Sequence, residues 1–404
     1  MKQRFTAGFM TGMVAFVIFL SGYWLGQSPA APIQLYRGQM PASVNETTFA
    51  PFWEVWDLVH KRYFDQPLDD VMLTSGAIDG MLATLDDPNT RYLTPQAEEA
   101  DRASMEGEIQ GIGAEVTNEN GNIVIVAPIE GSPAAAAGLR PGDILRQANG
   151  VDLTGMDVSE AARLVRGPAG TTVHLVIERN GESFEIDIVR DVIKLASVRG
   201  EMLSTADGHN LAYVRINRFA FPTAEELTTL LEELMPQNPS GLILDLRLNP
   251  GGSLETVVQV ADQFLPAGIV LTERFGDGRE TVYRSEEEGL AQDVPMVVLI
   301  DEGSASASEV LAGAIQDRGR GVLIGVTSFG KGTVQSVHTL SNGGGLRITV
   351  ARWLTPGNRW VHEEGLTPDY IVPRSETDET GNDPQLQAAI DFLQGKPISG
   401  ASDS

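Results

Sequence analysis

A serine, a lysine and two adjacent glycines stand in three short segments suited to acyl transfer. The first segment is Asp301-Glu302-Gly303-Ser304-Ala305-Ser306-Ala307-Ser308-Glu309, between the apolar run Met296 to Ile300 and a helical pattern with Val310, Leu311, Ala314 and Ile315. A serine at a strand-to-helix turn exposes its hydroxyl beside free N–H groups, which suits a nucleophile. Ser306 followed by Glu309 also fits a capping box, and helix capping alone accounts for both residues. The second segment, Asp245-Leu246-Arg247-Leu248-Asn249-Pro250-Gly251-Gly252-Ser253, reads as a strand entering a tight turn and then a helix from about Leu254. Backbone N–H groups at such a turn, near a helix N-terminus, suit an oxyanion hole. A plain connection that uses its glycines for positive φ explains the same residues.

The third segment sets Lys331 between Gly330 and Gly332 and continues through Thr333, Val334 and Gln335. Gly325, Gly330 and Lys331 have the spacing of a phosphate-binding loop, but Gly332 stands where Ser or Thr must ligate magnesium, and Thr333 to Thr339 alternates like a strand. A nucleotide is therefore excluded as the expected ligand. A lysine between glycines is ordinarily a solvated charge, and it serves as a base only when burial lowers its pKa from about 10.4. His60, His174, His209, His338 and His362 are scattered, with no pair at metal-ligand spacing, and the chain has no cysteine. No metal and no cofactor are expected. A Ser-His-Asp arrangement through His338 or His362 is the weaker alternative.

The elements that position these residues are legible in the pattern. Leu211 to Ile216, Leu242 to Leu246, Met296 to Ile300, Val322 to Val326 and Leu346 to Trp353 are strand candidates alternating with helices, which predicts an α/β core on a largely buried sheet. Ahead of it, Asn122 to Ala127 and Thr172 to Glu178 are β-rich runs among Gly and Pro turns, with a helix near Val158 to Val165. That module opens on Gly111-Ile112-Gly113-Ala114, a glycine-rich turn before a strand; such a turn beside an unpaired strand edge suits a peptide carboxylate, although an ordinary β-barrel with ordinary turns has the same residues. From Phe52 to about Met105 apolar residues recur at helical spacing, interrupted by Asp86-Asp87-Pro88-Asn89, and Thr94-Pro95 starts a further helix. A last short helix is expected near Pro384 to Leu393.

Composition bounds the partners. With 404 residues, 42% hydrophobic and 21% charged, the chain is long enough for two or three globular domains at roughly 100 to 200 residues each. Acids outnumber bases 55 to 29, for a net charge of -26, with no basic run; a nucleic-acid partner is therefore not expected. The same charge disfavours strongly acidic substrates. Lys2 and Arg4 precede an uncharged stretch whose apolar part, about Phe5 to Leu25, is near spanning length. Basic residues before the span predict a cytoplasmic start and an exported body, periplasmic or on the outer side of the cytoplasmic membrane. A retained anchor is the preferred reading; a signal peptide cleaved near Ser28-Pro29-Ala30 is the alternative.

Taken together, Leu-Arg-x-Asn-Pro-Gly-Gly at 246–252, Gly-Ser-Ala-Ser-Ala-Ser-Glu at 303–309, Phe-Gly-Lys-Gly-x-Val-Gln at 329–335 and Gly-Leu-Thr-Pro-Asp at 365–369 resemble the C-terminal processing peptidases, a Ser/Lys group with a PDZ domain. The resemblance covers nearly everything from Phe52 to Pro373. It implies Ser306 as nucleophile, Lys331 as general base, Gln335 as the residue orienting the lysine, and the N–H groups of Gly252 and Ala307 as oxyanion hole. On physical grounds alone Ser304 and Ser308 compete with Ser306. It likewise makes Gly111, Ile112, Gly113 and Ala114 the carboxylate-binding loop of a PDZ domain. The net charge of -26 favours small or apolar C-terminal residues as its ligands, with Arg140 or Arg146 as candidates for added charge, neither placed by the sequence. The fold class expected is α/β in several domains: 1–26 a signal anchor or signal peptide, 27–45 a stalk, 46–105 a helical region, 106–190 the PDZ domain, 191–380 the peptidase core on a mixed sheet, and 381–404 a helix and polar tail. The function implied is a serine endopeptidase acting on exported or membrane-associated proteins with free C-termini. A catalytically silent PDZ scaffold at the cell surface is the rival; no oligomeric state or adaptor is legible.

Overall fold

The computed structural model describes residues 46–205, 207–374, 383–398 and 402–403. The expected anchor and stalk lie outside the described residues. Among the described residues no helix is long and apolar enough to cross a membrane. The chain divides into two units, one reaching Thr74 together with Thr339–Gly343, the other holding Ser75–His338 and Gly344–Ser404.

The first unit is helical. In α1 (Glu46–Arg62), Phe52, Trp56 and His60 follow one another at helical spacing with their rings in contact, and His60 Nε2 meets Asp70 Oδ1 at 2.7 Å. Asp70 opens α2 (Asp70–Ala83).

In the second unit, β1 (Arg91–Leu93) leads into α3 (Pro95–Met105), which is capped by Thr94, whose side chain accepts from the Ala97 N–H. The stretch 46–105 is thus not wholly helical. β1 is too short for a period to register, and tertiary pairing with a later strand defines it.

Next come β2 (Glu108–Gly111), β3 (Ala114–Glu119), β4 (Asn122–Pro128), α4 (Pro133–Ala136), β5 (Ile144–Ala148), β6 (Val151–Asp152), α5 (Val158–Val165), β7 (Thr172–Arg179), β8 (Glu182–Val189) and β9 (Asp191–Lys194). Strands β3-β4-β5-β7-β8 form one antiparallel sheet, with β6 on β5. Its buried face carries Ile123, Ile125, Leu145, Val173, Leu175 and Ile177 over Ala161 and Val165 of α5. β2 and β9 pair antiparallel, Glu108 opposite Lys194 and Gly111 opposite Asp191, so the chain enters and leaves this module side by side. Strand β3 is the edge, with β4 as its sole neighbour in the sheet among the described residues.

The remainder runs β10 (Val198–Ser204), β11 (Asn210–Ile216), α6 (Thr223–Leu234), β12 (Gly241–Asp245), α7 (Leu254–Asp262), β13 (Gly268–Phe275), β14 (Glu280–Ser285), β15 (Met296–Ile300), α8 (Ala307–Asp317), β16 (Val322–Gly325), β17 (Thr333–Thr339), β18 (Gly345–Leu354), β19 (Tyr370–Ile371), α9 (Pro384–Leu393) and β20 (Ser402–Asp403). A seven-stranded mixed sheet has the order β10-β11-β12-β15-β16-β19-β20, parallel from β11 to β19 and antiparallel at both edges. Leu242, Leu244, Val298 and Ile300 pack with α6, α7 and α8 on one face, while Ile243, Val297 and Leu299 pack with α9 on the other. Burial on both faces is why β12 and β15 read as unbroken apolar runs. A second sheet, β1-β18-β13-β14 with β17 also on β18, stands beside it.

Candidate active site

The three chemistry-bearing segments leave the carboxyl ends of β12, β15 and β16, which are adjacent parallel strands. In open α/β sheets that end is where clefts form. The β12 turn and the β15 turn are bolted together by short polar contacts. Asp301 Oδ1 accepts from the N–H of Leu248 at 2.8 Å and of Gly303 at 2.9 Å. The Asn249 carbonyl accepts from the Ala305 N–H at 3.0 Å and from Ser308 Oγ at 2.8 Å. The side chain of Asn249 closes its own turn, accepting from the Gly251 N–H at 2.9 Å and donating to the Ile216 carbonyl at 2.8 Å.

These contacts explain both glycines. A Cβ on Gly251 would stand 2.6 Å from the Ala305 carbonyl and 2.8 Å from Ser306 Cβ, and one on Gly252 only 2.1 Å from the Phe219 carbonyl. Gly251 and Gly252 also sit at φ +95° and +151°, where other residues are strained. The pair therefore brings the backbone of one turn against the serine of the next.

Ser306 is itself at φ +57° and ψ -113°, outside the regions that non-glycine residues ordinarily occupy. Such an outlier persists only where surrounding contacts over-determine it, and the contacts centre on Glu309. That side chain, fully buried, accepts from the Ser306 N–H at 2.8 Å, the Lys331 N–H at 2.9 Å, the Gly330 N–H at 2.6 Å and Ser328 Oγ at 2.6 Å. One carboxyl group thus fastens the serine turn to the lysine loop. Sequence reasoning gave Glu309 to helix capping; the Ser306 contact fits that pattern, and the other three come from residues remote in sequence.

The three serines separate clearly. Ser304 is fully buried, its hydroxyl donating to the Leu246 carbonyl at 2.9 Å and accepting from the Asp301 N–H at 3.0 Å. Ser308 is equally buried and bound to Asn249. Ser306 lines a cleft of about 210 Å³ together with Gly252, Ala307, Lys331 and Gln335. All five residues singled out in the peptidase core therefore meet in one place. Leu254, Val310, Val334 and Trp353 supply its apolar wall.

Burial holds the Lys331 ammonium below its usual pKa, and the positive charges of Arg347 and Arg91 push in the same direction against Glu309 and Asp87. Among the described residues no carboxylate forms an ion pair with it. Its loop is pinned by Trp353 Nε1, which donates to the Lys331 carbonyl at 2.8 Å, and by Trp360 Nε1, which donates to the Gly332 carbonyl at 2.8 Å. A Cβ on Gly332 would meet Trp360 Nε1 at 2.7 Å, so the glycine after the lysine is required by packing. The Gln335 amide donates to Thr333 Oγ1 at 2.9 Å and Thr349 Oγ1 at 3.2 Å. His338 pairs with Ser336 Oγ and His362 stacks on Trp360; neither lines the Ser306 cleft.

Gly111, Ile112, Gly113 and Ala114 line a separate groove of about 250 Å³ between β3 and α5, with Val158, Ala161, Val165 and Arg166. Gly113 sits at φ +75°, and a Cβ there would be 2.4 Å from Ser132 Cβ, whose hydroxyl donates to the Gly113 carbonyl at 2.8 Å. Arg146 is engaged by Glu178 and Asn122, and Arg140 is absent from the lining, so neither supplies the charge expected of them. Arg166 is the basic residue at the groove, and its place depends on the packing of α5, which local pattern does not reveal.

The model of peptidase family S41 matches residues 210–372, a PDZ-domain model residues 124–179, and a model of the N-terminal domain of the activating protease CtpB residues 11–97. The carboxyl-terminal-processing protease of Synechocystis sp. (strain ATCC 27184 / PCC 6803 / Kazusa) is 37% identical over 84% of this chain and 81% of its own length. The carboxy-terminal processing protease CtpA of Bacillus subtilis (strain 168) is 35% identical over 89% of this chain and 75% of its own. Among solved structures, a photosystem II D1 C-terminal processing protease superposes with a TM-score of 0.51 at 32% identity, covering 82% of this chain and 89% of that one. On the family models and on relatives at 35–37% identity, the chain belongs to the carboxy-terminal processing proteases, serine peptidases of family S41 that carry a PDZ domain.

Proposed function

We propose that the protein cleaves peptide bonds with Ser306 as nucleophile and neutral Lys331 as general base, on substrates whose free C-termini are held by the PDZ domain. One observation carries the reading: of the three serines in the turn, the one at strained backbone geometry opens on the cleft that contains a half-buried lysine with no ion-pair partner among the described residues. Ser306 Oγ attacks the substrate carbonyl carbon while Lys331 Nζ takes its proton. The negative charge that develops on the carbonyl oxygen is met by the N–H groups of Gly252 and Ala307, the latter in the first turn of α8. Collapse breaks the C–N bond, the lysine returns its proton to the departing amine, and water deprotonated by the same lysine releases the acyl group. Gln335 braces this arrangement through Thr333 and Thr349, which stand on the strands flanking the cleft.

The groove beside α5 favours peptide tails because β3 is an edge strand able to take another strand, with apolar side chains beneath it. Small or apolar C-terminal residues fit its volume. The basic Lys2 and Arg4 ahead of the apolar stretch Phe5 to Leu25 support an exported enzyme working at the outer side of the cytoplasmic membrane, retained there by that stretch.

Ser306→Ala is expected to abolish hydrolysis of an unstructured protein such as casein while circular dichroism reports an unchanged fold. Ser304→Ala and Ser308→Ala remove buried hydrogen bonds and lower stability by about 1–3 kcal/mol each, with turnover kept in the folded fraction. Should Ser306→Ala digest casein at the normal rate, the nucleophile is misassigned.

The pH dependence follows from the direction of the Lys331 shift. Its folded pKa is lowered, so the neutral form gains as pH rises through that value, and kcat/KM climbs over a range below the ordinary lysine range. Lys331→Arg, whose guanidinium stays charged, is expected to be inactive across the whole range; activity in that variant excludes the general-base role.

For the PDZ groove, one peptide is compared with a free and with an amidated C-terminus. Amidation removes the carboxylate and is expected to lower kcat/KM by about tenfold, the loss of one charge-assisted contact. Equal cleavage of the two forms refutes tail selection.

A further inference from the structure

Two arginines line the same cleft as Ser306 and Lys331 without a part in the acyl-transfer chemistry: Arg218, just beyond β11, and Arg347, on β18. Neither is satisfied. Arg218 Nη2 donates to the thioether of Met105 at 3.4 Å, a weak acceptor, and its Nε is buried with no hydrogen-bond partner among the described residues. Arg347 Nη2 pairs with Asp101 of α3, and its Nε is likewise buried and unpartnered. The cross-strand neighbour of Arg347 on β1 is another arginine, Arg91, a like-charge pairing that strands normally avoid.

Around the cleft the cations are thus Arg91, Arg218, Arg347 and Lys331, and the acids that face them are Asp101, Asp87 and Glu309. Glu309 is committed to the backbone and Ser328 contacts described above, and among the described residues Asp101 is the one acid that pairs with either cleft arginine. With Lys331 neutral, three guanidinium groups stand against three acids, so the cleft is locally balanced in a chain of net charge -26. Buried guanidinium N–H groups left without acceptors are costly, and such groups are usually completed by a partner. Guanidinium groups that line a substrate cleft favour a carboxylate, which an arginine can bind in bidentate fashion.

We propose that Arg218 and Arg347 form a carboxylate-binding subsite inside the catalytic cleft, so that the enzyme selects peptides placing a carboxylate beside the scissile bond. The carboxylate comes from an acidic side chain near that bond or from the free terminus of a very short departing tail. The expectation from overall charge, that acidic substrates are repelled, is then reversed at the cleft. This inference rests on the peptidase reading given above.

The test uses the full-length enzyme and a set of fluorogenic peptides with Glu or Gln at each of two positions on either side of the scissile bond, every one with a free or an amidated terminus. Wild-type enzyme is expected to prefer one carboxylate-bearing form over its neutral isostere by about tenfold in kcat/KM, mostly through KM. The form preferred identifies the source. Arg218→Gln and Arg347→Gln are each expected to bring that ratio near one, while Arg218→Lys and Arg347→Lys keep part of it. Because these substitutions leave the PDZ groove intact, a terminal preference that they abolish belongs to the cleft.

Raising the salt concentration on the wild-type enzyme is expected to weaken the preference as well, a readout independent of whether the variants fold. No preference in the wild type, or a preference that survives both glutamine substitutions, overturns the proposal. If no peptide is cleaved, the peptidase reading itself has failed. The subsite is then judged on the Ser306→Ala protein by fluorescence anisotropy with the labelled Glu and Gln peptides, where equal affinities overturn it and tighter binding of the Glu form upholds it.

Discussion

The contact on which the site depends is the buried carboxyl group of Glu309. It gathers N–H donors from Ser306, Gly330 and Lys331 and the hydroxyl of Ser328, joining segments that leave neighbouring strands. Without an acceptor at that point, three backbone N–H groups would lose their partner and the positive φ of Ser306 would lose the contact made by its own N–H. Ser328 Oγ in turn accepts from the Leu366 N–H at 2.7 Å, so the same group reaches the segment before β19. The parallel sheet sets the strand ends side by side, and Glu309 converts that adjacency into a fixed relation between nucleophile and base.

Much of this was legible in the sequence because burial on both faces of a sheet leaves an unmistakable trace. Met296–Ile300 coincides with β15, and Pro384–Leu393 and Val158–Val165 coincide with their helices. What escaped was decided by partners remote in sequence. β1 has three residues and acquires strand geometry by lying against β18. The cleft arginines come from β18 and the segment after β11, and their meeting with α3 through Asp101 and Met105 is a matter of tertiary packing. Glu309 carried a local explanation, capping, that was sufficient by itself and so concealed the wider role.

The glycines show the same division. Their presence in the motifs suggested turns, but the reason for each is a contact: Gly251 against Ser306, Gly252 against the Phe219 carbonyl, Gly332 against Trp360. Ser304 and Ser308 were equal to Ser306 as residue types; burial, engaged hydroxyls and the backbone geometry of Ser306 separate them. The lysine is likewise defined by surroundings, since burial and two arginines hold down a pKa that a solvated loop would leave in place. Strain, burial and charge thus converge on a cleft whose frame is rigid sheet.

The most direct measurement of this account is the rate at which a fluorophosphonate labels the serine, with the site mapped by mass spectrometry, in wild-type enzyme and in Glu309→Gln. The substitution keeps the shape but puts an amide NH₂ where an acceptor of N–H groups is needed. The account predicts that Ser306 is the labelled residue and that Glu309→Gln, still folded by circular dichroism, labels about 100-fold more slowly or worse, as expected when a catalytic pair is displaced by about an ångström. Labelling of Glu309→Gln at the wild-type rate would contradict it.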